Sequence, residues 1–478
     1  MRRTKIVCTL GPSSNSPEVV RTLMSEGMDI VRLNLSHGDA SSHRSLFHLV
    51  RQTAQDLNKN VAILMDLQGP KIRTGKLQDG KPVALEKDAP FTITSEEKEG
   101  SASCVSTTYK NLPHDVRPGD RILLADGMIE LRVESVNIPE VLCRVVHGGL
   151  LGEHKGINLP GVPVSAPSLT DKDVADLQLA LELGADYVGL SFVRRAEDLR
   201  EIRAKIAAAG KKTGVVAKIE RPEALEQLED IISLSDAVMV ARGDLGVELP
   251  LCDVPQIQKR IIRDCNRHGV PVITATQMLE SMIREPRPTR AEATDVANAI
   301  YDGTDAVMLS GETATGAYPV DAVRMMRCIV ERADEARAEH VIEQPWLNDN
   351  EDSGRTFSCA IGHAAKLLSE SLSVRRIVCF TSSGYTARMV AQYRPRVPIT
   401  AFTLTEEAKR RCAMYWGVEG VLCAEVDSLD KMTIVIEHYL LKHNLAEKGD
   451  TVVLVAGTPL AVAGRTNLLK LHRVGELS

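Results

Sequence analysis

The sequence predicts an α/β fold: a (β/α)8 TIM barrel, interrupted once by an all-β domain and followed by a separate α/β domain. Three observations predict it. Eight short apolar segments recur with helix-length spacers between them. One stretch of about a hundred residues loses helical period and fills with turn signals. The texture then changes again after about residue 340.

The barrel strands are expected at "KIVCTL" (5–10), "DIVRLN" (29–34), "VAILMD" (61–66), "YVGLSF" (187–192), "GVVAKIE" (214–220), "AVMVARGD" (237–244), "PVITATQ" (271–277) and "AVMLSGE" (306–312). Their near-continuous apolar character suits strands covered on both faces, as in a parallel sheet. The spacers carry helical spacing, as in 16–28 and 171–185; the latter places Val174, Leu177 and Leu181 on one face and stops at Gly184. Residues 69–168 carry "QDGKP", "RPGDR" and "LPGVP" between short alternating stretches such as 127–136. This insert follows the third strand, so it hangs from the C-terminal rim of the barrel, where a lid would start. The polar segment 343–354 reads as a linker, and helices and strands alternate beyond it. The expected division is 1–68 and 169–340 for the barrel, 69–168 for the insert and 341–478 for the last domain.

The bulk properties restrict function. With Lys+Arg 58 against Asp+Glu 64, the net charge of −6 argues against nucleic acid as the main partner. A local basic pocket for a phosphorylated small molecule remains compatible with it. The 10 cysteines are scattered without a CxxC pair, which suits reduced, mostly packed thiols such as Cys8 in a cytoplasmic protein. The apolar run near the N-terminus is too short for a signal-peptide core, and no run is long enough to span a membrane.

Active sites of such barrels lie at the C-terminal strand ends. Here nearly every expected strand ends in reactive side chains: Arg32 and Asn34, followed by Ser36 and His37; Asp66; Ser191; Lys218 and Glu220; Arg242 and Asp244; Thr274 and Thr276; Ser310 and Glu312. Individually several have ordinary explanations. Asp66 suits a loop cap, Arg32 an ion pair with Asp66 or Asp29, His37 a loop hydrogen bond, and Lys155 a solvated surface. Glu220 and Asp244 are harder to dismiss. Two carboxylates from adjacent strands repel unless a cation sits between them, and oxygen ligands favour Mg²⁺ or Mn²⁺. Lys218, two residues before Glu220, shares its strand face. It either forms a bare ion pair or neutralises an oxyanion or a phosphoryl group beside the metal. Nucleotide-binding glycine fingerprints, HExxH, a nucleophile elbow and kinase HRD/DFG motifs are all absent.

The segment "GVVAKIERPEAL" resembles the active-site signature of the pyruvate kinase family. So do "TKIVCTLGPSS", "VRLNLSHG", "DLQGPKIRTG", "HKGINLPG", "VARGDLGVE", "TATQMLESM", "PTRAEATDVANAI" and "DGTDAVMLSGETATGAYP", in family order from residue 4 to about 319. "TSSGYTARMVAQYRPRVPI" matches the family's C-terminal domain more loosely. The resemblance implies a small β-barrel lid, a regulatory C-terminal domain and a homotetramer. It implies transfer of phosphate from phosphoenolpyruvate to ADP, giving pyruvate and ATP. Arg32, Ser191 and Lys218, with Gly243, Asp244 and Thr276, would bind phosphoenolpyruvate. Glu220 and Asp244 would hold Mg²⁺ (or Mn²⁺). Lys218, Thr276 and Arg73 would be catalytic, Thr276 by relaying a proton through water. Asn34, His37, Arg73 and Lys155 would contact the nucleotide phosphates.

Two departures stand out. Family members that need K⁺ hold it near Asn34, Ser36, Asp66 and the carbonyl of Leu67, and carry Glu where this chain has Lys71. The expectation is that Lys71 supplies that charge and K⁺ is dispensable. In the last domain, Thr381, Ser382, Ser383, Gly384 and Thr386 resemble a phosphate cradle for a sugar phosphate or AMP, although relatives often have Arg where Tyr385 stands. A metal-dependent lyase or aldolase that forms an enolate on the same barrel is the alternative reading, and a catalytically inactive metabolite sensor is a third.

Overall fold

The computed structural model describes residues 2–339, 357–459 and 465–476; the expected linker at 343–354 lies outside them. Eight parallel strands close into a barrel: Lys5–Leu10, Ile30–Asn34, Ala62–Asp66, Tyr187–Leu190, Gly214–Ile219, Ala237–Ala241, Val272–Ala275 and Ala306–Leu309. Each pairs with its neighbour in chain order, and the last closes on the first. Alternate residues of one strand face opposite sides, so Ile6 and Cys8 pack against the outer helices while Val7 fills the interior.

The expected strands run too long at their C-terminal ends. Ser191, Glu220, Thr276 and Ser310 lie just beyond their strands, and Asp244 sits in the first turn of the short helix Arg242–Glu248. The outer helices are cut to length by local chemistry. Thr170 and Asp173 form a capping box for Asp171–Leu183, which ends on left-handed Gly184 with φ 76°. The inward face of that helix is Leu177, Ala180 and Leu181; Val174 is 38% exposed and does not belong to it.

The insert is a six-stranded sheet over its own apolar core, with a two-stranded sheet Val83–Leu85/Gly149–Leu151 beside it. Its two edge strands are Cys104–Ser106 and Ile157–Asn158. Residues 73–74 bridge to both edges, Arg73 to Gly156 and Thr74 to Thr107, so the sheet closes through this one short segment.

The last domain is a five-stranded sheet with four parallel strands and one antiparallel edge strand, Leu468–Arg473. It docks on the N-terminal end of the barrel, opposite the insert. The barrel interior and part of this domain's core form one apolar cluster. Arg394 crosses the seam: it pairs with Asp305 at 2.6 Å and donates to Asn266 Oδ1 at 3.0 Å and the Gly303 carbonyl at 2.9 Å. Its guanidinium also lies 5.0 Å from the centre of the Trp416 ring. Removing one side of a buried pair strands the other charge. Arg394→Ala is therefore expected to cost about 3 kcal/mol, read as a lower thermal midpoint in calorimetry; an unchanged midpoint would show that the seam does not depend on this pair.

Candidate active site

The strand ends bring one charged cluster together. Arg32, on the second strand, donates through Nε to Asp66 Oδ2 at 2.8 Å and approaches the same oxygen through Nη2 at 2.6 Å. Its Nη1 donates to Thr9 Oγ1 at 3.1 Å. The ion-pair alternative for Arg32 is thus realised with Asp66, while Asp29 pairs with Arg2. Lys218, at the end of the fifth strand, has its ammonium 2.8 Å from Glu220 Oε1 and 3.4 Å from Asp66 Oδ2. It donates to Ser191 Oγ at 2.6 Å, and Ser191 donates onward to the Leu67 carbonyl at 2.8 Å. Ser191 is buried, with its hydroxyl between the Lys218 ammonium and the Leu67 carbonyl.

Backbone shape follows from these needs. Phe192 takes a left-handed φ of 54°, and its N–H donates to Glu220 Oε2 at 2.8 Å. Gly69 passes beneath this turn at φ 70°, where a Cβ would stand 2.8 Å from the Phe192 ring. Gly189 leaves room for Asp66, whose Oδ1 would lie 2.6 Å from an added Cβ.

The electrostatics follow from burial and count. Burial works against the Lys218 ammonium, but Asp66 and Glu220 push its pKa up to about 12, so it stays charged. Burial also works against the Asp66 carboxylate, yet Lys218 and Arg32 hold it below the ordinary range. Glu220 moves the other way: burial raises it, Lys218 opposes the rise, and Asp244 adds to it. Two cations, Arg32 and Lys218, therefore face three carboxylates. The imbalance fits a bound cation, and the all-oxygen donors fit Mg²⁺ or Mn²⁺. Asp66 Oδ1 is a further buried acceptor without a partner. Among the described residues no group of three or more His, Cys, Asp or Glu is arranged to hold a metal. The chain thus offers Glu220 and Asp244, and substrate oxygens and water would complete the coordination.

Thr276 closes one side. It is left-handed at φ 68°, and Gln277 follows at φ 53°. Non-glycine residues in this region cost about 1–3 kcal/mol each. Arg242 offsets that strain by donating to the Thr276 carbonyl at 2.8 Å and the Gln277 carbonyl at 3.2 Å. Asp295 holds Arg242 at 2.7 Å. The Thr276 hydroxyl donates to the Ala275 carbonyl at 2.6 Å and accepts the Gly243 N–H at 2.8 Å. Gly243, expected to bind substrate, thus has its N–H engaged by Thr276 here.

Thr274 and Glu312 are taken up by bonds within the fold. Thr274 is buried and bonded to Thr304 Oγ1 at 2.9 Å. Glu312 accepts the N–H groups of Leu279 at 3.0 Å and Ser310 at 2.7 Å. Asn34 and His37 line a pocket of about 750 Å³ with Thr9, Pro12 and Thr315. Asn34 Oδ1 accepts the Ser36 N–H at 3.1 Å, and the His37 carbonyl lies 2.7 Å from His43 Nε2. Arg73 and Lys155 are brought together by the insert. Thr74 N–H donates to the Lys155 carbonyl at 2.8 Å, and Lys155 N–H donates to Thr74 Oγ1 at 2.9 Å. Lys71, exposed, lines a second cleft between insert and barrel with Asp126, Asn158, Arg194, Arg221 and Asp244. Arg242 is among the expected strand-end residues, but Arg221 and Glu248 are not expected as site-building residues; "IER" carries the first, and its partner Glu248 lies 27 positions along the chain.

In the last domain, Thr381 ends the strand Val374–Thr381 and its Oγ1 accepts the Gly384 N–H at 3.1 Å. Ser383 Oγ takes the Tyr385 N–H at 3.4 Å. Thr386 is buried against Thr466 at 2.9 Å, so it faces its own fold rather than an open cradle.

The family description "Pyruvate kinase, barrel domain" matches residues 1–323, and "Pyruvate kinase, alpha/beta domain" matches residues 359–472. A curated pyruvate kinase from Corynebacterium glutamicum is 45% identical over 476 residues, covering 99% of this chain and 98% of the relative. One from Mycobacterium tuberculosis is 45% identical over 475 residues, with 99% of both chains covered. The crystal structure of a pyruvate kinase from Cryptosporidium parvum superposes with a TM-score of 0.92 at 36% identity, covering 99% of this chain and 96% of that one. With both domain descriptions matched in order and relatives similar along nearly the whole length, the chain belongs to the pyruvate kinase family.

Proposed function

We propose that this chain moves the phosphoryl group of phosphoenolpyruvate to ADP at the Arg32–Asp66–Lys218–Glu220 cluster, without needing potassium. The observation that carries the assignment is Lys218: a charged ammonium, nearly buried, held by three oxygens at a barrel strand end. Phosphoryl transfer depends on positioning and charge stabilisation more than on covalent help. Arg32 and Lys218 supply positive charge to the transferring group. A β-phosphate oxygen of ADP forms the new P–O bond as the bond to the enol oxygen breaks. The electron pair stays on that oxygen, and Lys218 stabilises the enolate. A divalent ion held by Glu220 and Asp244 would add Lewis-acid stabilisation of the same developing charge. The enolate carbon then takes a proton that comes ultimately from water. For Thr276 to relay it, the hydroxyl must turn away from the Ala275 carbonyl. Asn34, His37 and Arg73 serve the nucleotide phosphates, and Lys155 reaches them from the insert acting as a lid. A lactate-dehydrogenase-coupled assay with phosphoenolpyruvate and ADP tests the reading; no pyruvate formed with Mg²⁺ present would overturn it.

The Thr381–Gly384 loop is proposed to take the phosphate of a sugar phosphate or AMP, through Ser382 and the loop's hydroxyls. Thr381→Ala removes a loop hydroxyl and the bond that shapes the loop at Gly384, and is expected to reduce activation by such an effector about tenfold. Activity at rising phosphoenolpyruvate, with a panel of sugar phosphates and AMP, reads this out; unchanged activation would remove the loop from regulation. Assembly is proposed to be homotetrameric, checked by sedimentation. No described helix is long and apolar enough to cross a membrane, and the free cysteines agree with a cytoplasmic enzyme.

A further inference from the structure

Arg221 and Glu248 have no part in the roles assigned above, yet they join the two segments that carry the proposed metal ligands. Arg221 directly follows Glu220. Glu248 lies one helical turn after Asp244 on the helix Arg242–Glu248. Arg221 Nη1 and Glu248 Oε1 are 2.7 Å apart, and their side chains are only 7% and 1% exposed. The guanidinium also reaches Glu223 Oε1 and the Val162 carbonyl, each at 3.4 Å.

A third arm comes from the insert. Asn158, in its edge strand Ile157–Asn158, donates through Nδ2 to the same Glu248 Oε1 at 3.0 Å. The insert's turn at Gly127 faces the same helix: a Cβ placed there would lie 3.8 Å from Val247 Cγ1. One carboxylate thus gathers the segment of Glu220, the helix of Asp244 and the edge of the insert. A well-packed apolar pair would join two segments at least as stably as a buried ion pair. What the planar fork adds is direction, because its donors are fixed relative to one another.

We propose that Arg221 and Glu248 are positioning residues that set the separation of Glu220 and Asp244, and that Asn158 couples the insert to that setting. The inference rests on Glu220 and Asp244 being the divalent-ion ligands. It assigns no contact with substrate to Arg221, Glu248 or Asn158.

The test uses the full-length enzyme and manganese(II) alone, with the free ion counted by electron paramagnetic resonance before any turnover. Glu220→Gln is the control for the ligand reading and is expected to lose binding at least tenfold. Glu248→Gln keeps the shape but not the charge, and is expected to weaken manganese binding about tenfold with an unchanged far-ultraviolet spectrum. Arg221→Lys keeps the charge without the fork and is expected to weaken it about threefold. Asn158→Ala is expected to leave manganese binding within twofold while raising the KM for ADP about fivefold at near-constant kcat. If Glu220→Gln binds manganese normally, the ligand reading falls and this inference with it. If Glu220→Gln loses binding while folded Glu248→Gln and Arg221→Lys keep it, the positioning role alone is overturned. An unchanged KM for ADP in Asn158→Ala overturns the coupling to the insert. Should Glu248→Gln fail to fold, Arg221→Lys and Asn158→Ala decide the same two questions.

Discussion

Lys218→Met is expected to lower kcat for pyruvate formation by about 10²- to 10³-fold, the order seen when one donor to a developing oxyanion is removed. Methionine fills similar space without charge, so the barrel end remains packed. The loss is electrostatic. Lys218 stands 3.4 Å from Asp66 and 2.8 Å from Glu220, and among the described residues no other cation sits so close to both. Arg32 still neutralises Asp66 in the variant, through its contacts at 2.6 and 2.8 Å. Glu220, already pushed up by burial, loses the group that opposed the rise and takes up a proton instead of standing charged. The fold is therefore expected to survive with a lower thermal midpoint. The KM for ADP should move little, because the residues proposed for the nucleotide phosphates are Asn34, His37 and Arg73 rather than Lys218. A folded Lys218→Met enzyme with kcat within tenfold of the parent would exclude Lys218 from the chemistry.

The same residue shows what the sequence makes legible. "KIE" reveals two charged side chains on one face of an otherwise apolar strand, and local period alone places them together. The barrel was readable for a related reason: strands covered on both faces are continuously apolar, and their helices are bounded by capping residues such as Thr170 and Gly184. Contacts between distant segments were not readable. Arg242 steadies the strained turn at Thr276, but its anchor Asp295 lies 53 positions away. Asn158 and Glu248 are 90 positions apart. Glu312 has the appearance of a site carboxylate until its two backbone donors are seen. The strand ends were misjudged because a polar residue after an apolar run reads the same whether it continues a strand or opens a helix, as Asp244 does.

Lys71→Glu is expected to cut activity in potassium-free buffer about 10²-fold, and added KCl is expected to restore most of it. Lys71 is exposed at the start of the insert and lines the cleft that also holds Asp244 and Arg221. Its charge reaches the nucleotide side. His37 is lowered first by burial and then by Lys71, ahead of Arg73 and Arg32. The positions that hold a monovalent cation in potassium-dependent relatives are present but partly committed. Asn34 Oδ1 accepts the Ser36 N–H, and the Leu67 carbonyl accepts Ser191 Oγ. Asp66 Oδ1 alone is a buried acceptor without a partner. A glutamate at 71 would remove one positive charge and add a negative one where the field of Lys71 reaches His37, which makes a cation on that side favourable again. The parent enzyme should show less than twofold activation by potassium when sodium is also absent, with tetramethylammonium chloride matching the ionic strength. Strong activation of the parent, or a Lys71→Glu enzyme indifferent to potassium, would mean that Lys71 does not stand in for the ion.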